Sequence, residues 1–198
     1  MFTGIIENTG IVKETITNGT NKTFWITSPF ATELKVDQSL SHNGVCLTVE
    51  EIKDDMHRVT AIAETLAKTN LGRWKSDTVV NLERCMQMNG RLDGHIVQGH
   101  VDAVAECTAV VEKDGSWEYS FKFSNEFAAL VIEKGSVCIN GISLTLFNVG
   151  LNIFSVAIIP YTHQYTNINT VKPGDFVNIE FDILGKYVQR TLQQKIAT

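Results

Sequence analysis

Apolar and β-branched residues fall in short runs divided by turn residues, the pattern of strands rather than of long helices. One run extends from Ile11 to Ile26 around Asn18-Gly19, and a second from Ala109 to Phe123 around Asp114-Gly115. Asn-Gly and Asp-Gly supply the positive φ of a tight hairpin, so each run predicts two paired strands. Short helical stretches follow at residues 29–34 and 125–132. Then come two strands of one kind, Asn43-Gly44-Val45-Cys46-Leu47-Thr48 and Asn140-Gly141-Ile142-Ser143-Leu144-Thr145. Further strands are predicted at 58–63 and 153–159, polar helical turns at 64–71 and 161–168, and last strands at 78–83 and 176–181. After Asp182 the period changes. Leu184, Val188, Leu192 and Ile196 recur every fourth position, with Ile183 and Tyr187 beside them, which predicts a helix with one apolar stripe. So short a helix must pack somewhere, on the rest of its own chain or on copies of itself.

The two series of elements are one series written twice. The Asn-Gly strands lie 97 residues apart, and the same offset carries Ser39 onto Ser136, Thr69-Asn70-Leu71 onto Thr166-Asn167-Ile168, and Val80-Asn81-Leu82-Glu83 onto Val177-Asn178-Ile179-Glu180. Near the start the offset slips to 95, where Gly4 pairs with Gly99. Matches in register over most of each half mark an internal duplication. Several short strands per repeat with few prolines suggest a small closed barrel in each half, since closure removes exposed edges.

Composition narrows the function without naming it. The chain has 198 residues, 43% of them hydrophobic and 20% charged, as expected of a folded globular protein. A net charge of −5 with no basic block disfavours a nucleic-acid partner. The longest apolar run, around Phe127 to Ile132, is far too short to cross a membrane, and the opening MFTGIIE does not resemble a secretory signal. Cys46, Cys85, Cys107 and Cys138 show no CxxC spacing and read as reduced thiols of a cytoplasmic protein. His95 and His100 are five apart, a poor zinc spacing on a strand, so no metal site is expected. No GxGxxG, phosphate-loop or GxSxG signature occurs.

Candidate chemistry therefore rests on the repeated strands. Alternation places Cys46 with Thr48, and Ser143 with Thr145, on one face each. These are either two related small-molecule pockets or ordinary strand residues. His100 is the better acid/base candidate; His95, between glycine and isoleucine, reads as a core or turn histidine, and His42, His57 and His163 as surface or turn residues. Asp182 reads as a helix N-cap, a role compatible with a second one in a site.

Taken together, MFTGIIE, NGVCLTV, GHIVQGHVD, NGISLTL and VNIEFDILGKYVQR resemble the α-type riboflavin synthase family over essentially the whole chain. The resemblance implies an all-β protein of two tandem six-stranded Greek-key barrels with short helices (residues 1–94 and 95–182), and a C-terminal helix at 183–198 that joins three chains. It implies a reaction between two molecules of 6,7-dimethyl-8-ribityllumazine. One gives a four-carbon unit to the other at a site between subunits, with no metal or redox cofactor. A lumazine synthase shell is a further partner the resemblance brings into view. Carried over residue by residue, the catalytic candidates are Ser143, His100, Cys46, Asp182 and Ser39. One pocket would be lined by Phe2, Gly4, Ile5, Ile6, Leu47, Thr48, Thr60, Ala61, Ile62, Ala63, Glu64 and Thr65, capped by Gly99 and Val101 beside His100. The other would hold Lys134, Leu144, Thr145, Ala157, Ile158, Ile159, Pro160, Tyr161 and Thr162. Two positions depart from the family pattern: Asn140 and Tyr161 stand where many members carry an acidic residue. The same fold also serves as a lumazine- or flavin-carrying antenna, the alternative to an enzyme.

Overall fold

The computed structural model describes residues 1–196, with side chains to residue 194, so Ile196, the last position of the expected stripe, lies outside the described side chains. In the first repeat, β1 (Asn8–Asn18) and β2 (Asn21–Thr27) form a hairpin across Gly19-Thr20. β3 (Ser39–His42), β4 (Val45–Thr48), β5 (Glu51–Lys53) and β6 (Met56–Ala61) follow, then α1 (Ala63–Lys68) and β7 (Val79–Arg84). The second repeat gives β8 (Ala103–Lys113), β9 (Ser116–Lys122), β10 (Ser136–Ile139), β11 (Ile142–Phe147), β12 (Ile153–Ile158), α2 (Pro160–Tyr165) and β13 (Phe176–Phe181). α3 (Ile183–Ile196) ends the described chain.

The second repeat closes into a six-stranded barrel in the order β10-β11-β12-β9-β8-β13. The first has the same neighbours but seven strand segments, β4-β3-β7-β1-β2-β6-β5. The difference from the six expected has a local cause: β4 and β5 are the two ends of one strand, the counterpart of β11, interrupted at Val49-Glu50. Its ladder continues across the break, with Val49 N–H donating to Gln38 at 2.9 Å and Glu50 N–H to Arg58 at 2.9 Å. β1 and β8 share a second irregularity, a bulge between Val12 and Glu14 and again between Cys107 and Ala109. A bulge bends a strand, and here it lets one long strand pair with both barrel neighbours. The offset of 95 holds through both hairpins and becomes 97 only beyond Thr27 and Lys122, where the second repeat carries two more residues.

Each barrel has its own apolar core, Phe24, Leu40 and Leu82 among others in the first, and Tyr119, Phe121, Phe154 and Phe181 in the second. Two histidines overturn their surface reading. His42 and His57 are wholly buried inside the first barrel, with their Nε2 atoms 2.8 Å apart. His42 Nδ1 lies 3.0 Å from the Leu40 carbonyl and must donate there. Its Nε2 therefore accepts from His57 Nε2–H, and His57 Nδ1 is left without a partner among the described residues. Burial holds both rings neutral, His57 with its pKa lowered to about 4 and His42 well below the usual value. At the corresponding places of the second barrel stand Ile139 and Phe154. His163 is also not free: it stacks on Trp117 with ring centroids 3.7 Å apart.

Six asparagines join the barrels. Asn43-Gly44 and Asn140-Gly141 are the two-residue turns of β3–β4 and β10–β11, all at positive φ. The turns meet so closely that a Cβ on Gly44 would lie 2.9 Å from the Gly141 nitrogen. Around them the same bonds are made twice. Asn81 donates to the Asn140 carbonyl and Asn178 to the Asn43 carbonyl, both at 2.9 Å. Asn70 N–H donates to Asn178 Oδ1 and Asn167 N–H to Asn81 Oδ1, both at 2.7 Å. Asn140 serves as an acceptor here, taking a bond from Asn178 N–H at 2.9 Å.

α3 starts against the 3₁₀ segment Asn125–Leu130 and is tied to the body by Lys186 Nζ on Asp102 at 2.6 Å. Leu184, Tyr187, Val188 and Leu192 remain more than half exposed. The stripe therefore does not cover its own barrel.

Candidate active site

The segments that lead into the repeats cross over. Residues 1–6 lie on the second barrel: Ser143 N–H donates to the Gly4 carbonyl at 2.8 Å, and Ile6 packs against the second core. The segment from Val97 to Val101 lies on the first: Cys46 N–H donates to the Gly99 carbonyl at 2.9 Å, and Val101 packs against the first core. Phe2 and Val97 pair with each other between them. Both crossings need glycine. A Cβ on Gly4 or Gly99 would come within 2.6 Å of the Ser143 or Cys46 Cβ, and both residues sit at positive φ.

Two buried glutamates, 97 apart, hold the crossings. Glu83 accepts from Thr3 N–H at 2.6 Å, Thr3 Oγ1 at 2.7 Å and Gly4 N–H at 3.0 Å. Glu180 accepts from Gln98 N–H at 2.6 Å and from Gly99 and His100 N–H at 2.9 Å. Burial pushes both carboxyls up, and the amide donors pull them back.

At Ser143 the structure assembles a group the sequence did not announce. His95 Nδ1 lies 2.6 Å from Ser143 Oγ. The backbone N–H of His95 is fixed on the Thr3 carbonyl at 3.1 Å, and Gly94 leaves the room, since a Cβ there would meet both Thr3 and Ser143. Burial lowers the His95 pKa, and the negative charge of Asp182 raises it in part. Asp182 also caps α3, accepting from Leu184 N–H at 3.0 Å, so the expected N-cap is present. A neutral imidazole against a hydroxyl, with a carboxylate nearby, can take up and return a proton. His95 thus joins Ser143 and Asp182 as a candidate functional residue. The missing signal was non-local: its partners come from β11 and from residue 3.

The other candidates divide by place. His100 is held by its backbone to Glu180, its side chain exposed; the structure brings it beside Gly99 and Cys46, not to Ser143. Cys46 packs against Phe2, Val97 and Cys138. Ser39 pairs with Thr48 across β3–β4, and lies along a cleft of about 590 Å³ with Thr3, Ile5 and Glu83. Ser136 pairs likewise with Thr145. Leu47, Ala61 and Ile158 spend their side chains in the cores, with Leu144 partly so. Thr60 lies on the outer face, bonded to Thr23 at 2.9 Å and Glu50 at 3.0 Å, and Ala157 is its exposed counterpart. Ile62 and Ile159 are equivalent exposed residues just before α1 and α2. Ala63, Glu64 and Thr65 form the start of α1, with Glu64 paired to Lys68 at 3.0 Å. Pro160, Tyr161 and Thr162 open α2, where the Tyr161 ring lies 4.6 Å from that of Tyr165. Lys134 sits at positive φ with its N–H on Leu146. No cluster of three metal-ligating side chains occurs among the described residues.

The profile of the lumazine binding domain matches the chain twice, over residues 3–85 and 98–182. The riboflavin synthase of Actinobacillus pleuropneumoniae is 40% identical over the whole of this chain and 92% of its own length. That of Bacillus subtilis is 36% identical over 98% of this chain and 91% of its own, and that of Saccharomyces cerevisiae 35% identical over 100% and 90%. The crystal structure of LumP complexed with riboflavin superposes with a TM-score of 0.86 at 23% identity, covering 91% of this chain and 99% of that one, a likeness of fold. With its two lumazine binding domains in tandem, the chain belongs to the riboflavin synthase family.

Proposed function

We propose that this chain converts two molecules of 6,7-dimethyl-8-ribityllumazine into riboflavin and 5-amino-6-ribitylaminouracil by transfer of a four-carbon unit. The observation that carries this reading is the duplicated strand and crossing segment with one polar exception. Two equivalent strands present Cys46 and Ser143, each backed by a crossed segment, and of these two side chains Ser143 alone meets a histidine nitrogen among the described residues. Two like pockets suit two copies of one substrate, and one proton-handling pair suits their unequal fates. Orientation of two reactants supplies roughly 7–11 kcal/mol in favourable cases. Ser143 and His95 would move the proton of the acidic lumazine 7-methyl group, while His100 and Cys46 serve the partner pocket.

The exposed stripe of α3 supports assembly into a homotrimer, with the N-terminal pocket of one subunit facing the C-terminal pocket of another. The division into residues 1–94, 95–182 and 183–198, and a cytoplasmic location, belong to the same proposal. Among the described residues no helix is long and apolar enough to cross a membrane.

Incubating the pure protein with the lumazine tests the reading, with growth of riboflavin absorbance and fluorescence as the expected result. Tight binding without riboflavin would instead establish an antenna. Removing residues 183–198 should leave folded barrels with little turnover; a fully active monomer would refute the intersubunit site.

A further inference from the structure

We infer that Glu83 and Glu180 are positioning residues acting in a crossed fashion, each anchoring the segment that completes the pocket of the opposite barrel. The inference rests on the proposed function for what the pockets bind, though not for the anchoring itself. Glu83 stands on β7 of the first barrel, yet the two residues it grips, Thr3 and Gly4, lie over Ser143 of the second. Glu180 stands on β13 of the second barrel, yet its three amide donors lead to His100 and place the Gly99 carbonyl on Cys46 of the first. Each carboxylate is buried and both of its oxygens are in use. No neutral side chain of that length offers two acceptor oxygens to converging N–H groups: glutamine would turn an NH2 toward one of the donors. A residue that merely supported its own barrel would show no such preference for the far pocket.

The test is residue-resolved amide spectroscopy on the full chain, with riboflavin as the probe. In the free protein, Glu180→Ala should speed hydrogen exchange at Gln98, Gly99 and His100 while Thr3 and Gly4 keep their protection; Glu83→Ala should do the reverse. With riboflavin, Glu180→Ala should weaken binding about tenfold or more at Cys46–Thr48 and leave the response at residues 143–145 intact, and Glu83→Ala should give the mirror image. Should either alanine variant fail to fold, Glu83→Gln and Glu180→Gln keep the shape and should give the same crossed pattern at smaller amplitude. Equal weakening of both pockets by both variants, or an uncrossed pattern, would overturn the inference. An unsubstituted chain that shows no riboflavin response at either pocket counts against the proposed function, and the exchange pattern then still decides the anchoring.

Discussion

The two barrels are built to one plan and differ in where they keep their histidines. The second barrel has none in its core, where Ile139 and Phe154 pack, and receives His95 at its pocket from the connecting segment. The first has a buried histidine pair in its core, and at its pocket receives His100 from the crossed segment. Duplication supplied the framework twice over: strands, bulges, crossing glycines and anchoring glutamates all repeat. The polar chemistry was then placed outside the repeat relation. His100 falls where the first repeat has Ile5, and Cys46 has no ring-nitrogen partner among the described residues, unlike its counterpart Ser143. Likeness of fold between the pockets therefore says little about likeness of task.

The largest effect should come from breaking this asymmetry at its centre. Ser143→Ala and His95→Ala should each lower the rate of riboflavin formation about 10²–10⁴-fold. The double variant should be little worse than either, because the two act as one unit. Cys46→Ala should cost far less, and equal losses at Cys46 and Ser143 would show that the pockets share the proton work.

Next comes stability in acid. The folded His57 pKa lies below its ordinary value, at about 4, and that of His42 lies well below it, so the unfolded chain binds more protons as pH falls under 6.5. The stability that neutral burial lends is complete above about pH 6.5 and is lost as pH falls toward 4. Exchange of first-barrel amides should accelerate over that window before those of the second barrel. Transplanting the second barrel's residues, His42→Ile with His57→Phe, should flatten the dependence whatever it does to stability at neutral pH. Melting temperatures against pH would show a persistent slope if other groups were responsible.

A smaller effect tests the asparagine junction. Asn178 both donates and accepts there, so Asn178→Asp should cost about 1–3 kcal/mol by setting a carboxylate oxygen against the Asn43 carbonyl. Asn140 receives bonds through its side-chain oxygen, so Asn140→Asp should cost less in denaturant titration. The reverse order would mean that charge, not donor geometry, governs the site. Smallest of all, Asp182→Asn keeps the helix cap but removes the charge that raises His95, so the acid limb of the pH–rate profile should move to lower pH, by less than about one unit. A limb that stays fixed would take His95 out of the profile.

What could be read in the sequence was what neighbours along the chain decide. The hairpins at Gly19 and Gly115, the Asn-Gly turns and the stripe of α3 need only local chemistry, and the duplication needs only counting. The residues that escaped depend on contacts between distant segments. His95 gains its meaning from Ser143 and Thr3, His42 from His57 across the barrel, and Asn140 from a junction of both repeats. At Asn140, one of the two departures from the family pattern, the side-chain oxygen is a buried acceptor. At the interruption at Val49-Glu50 the alternation slips by one residue: Val49 is buried, Glu50 and Glu51 are both exposed, and Ile52 packs on the first core.

Asp102 gives the molecule a lever. Its carboxylate takes the Phe181 N–H at 2.9 Å and Lys186 of α3 at 2.6 Å, and it lies two residues beyond His100. The tail helix and the lip of the first pocket are thus strung on one side chain. A subunit settling on the exposed stripe would therefore load a helix that one ion pair joins to the segment carrying His100.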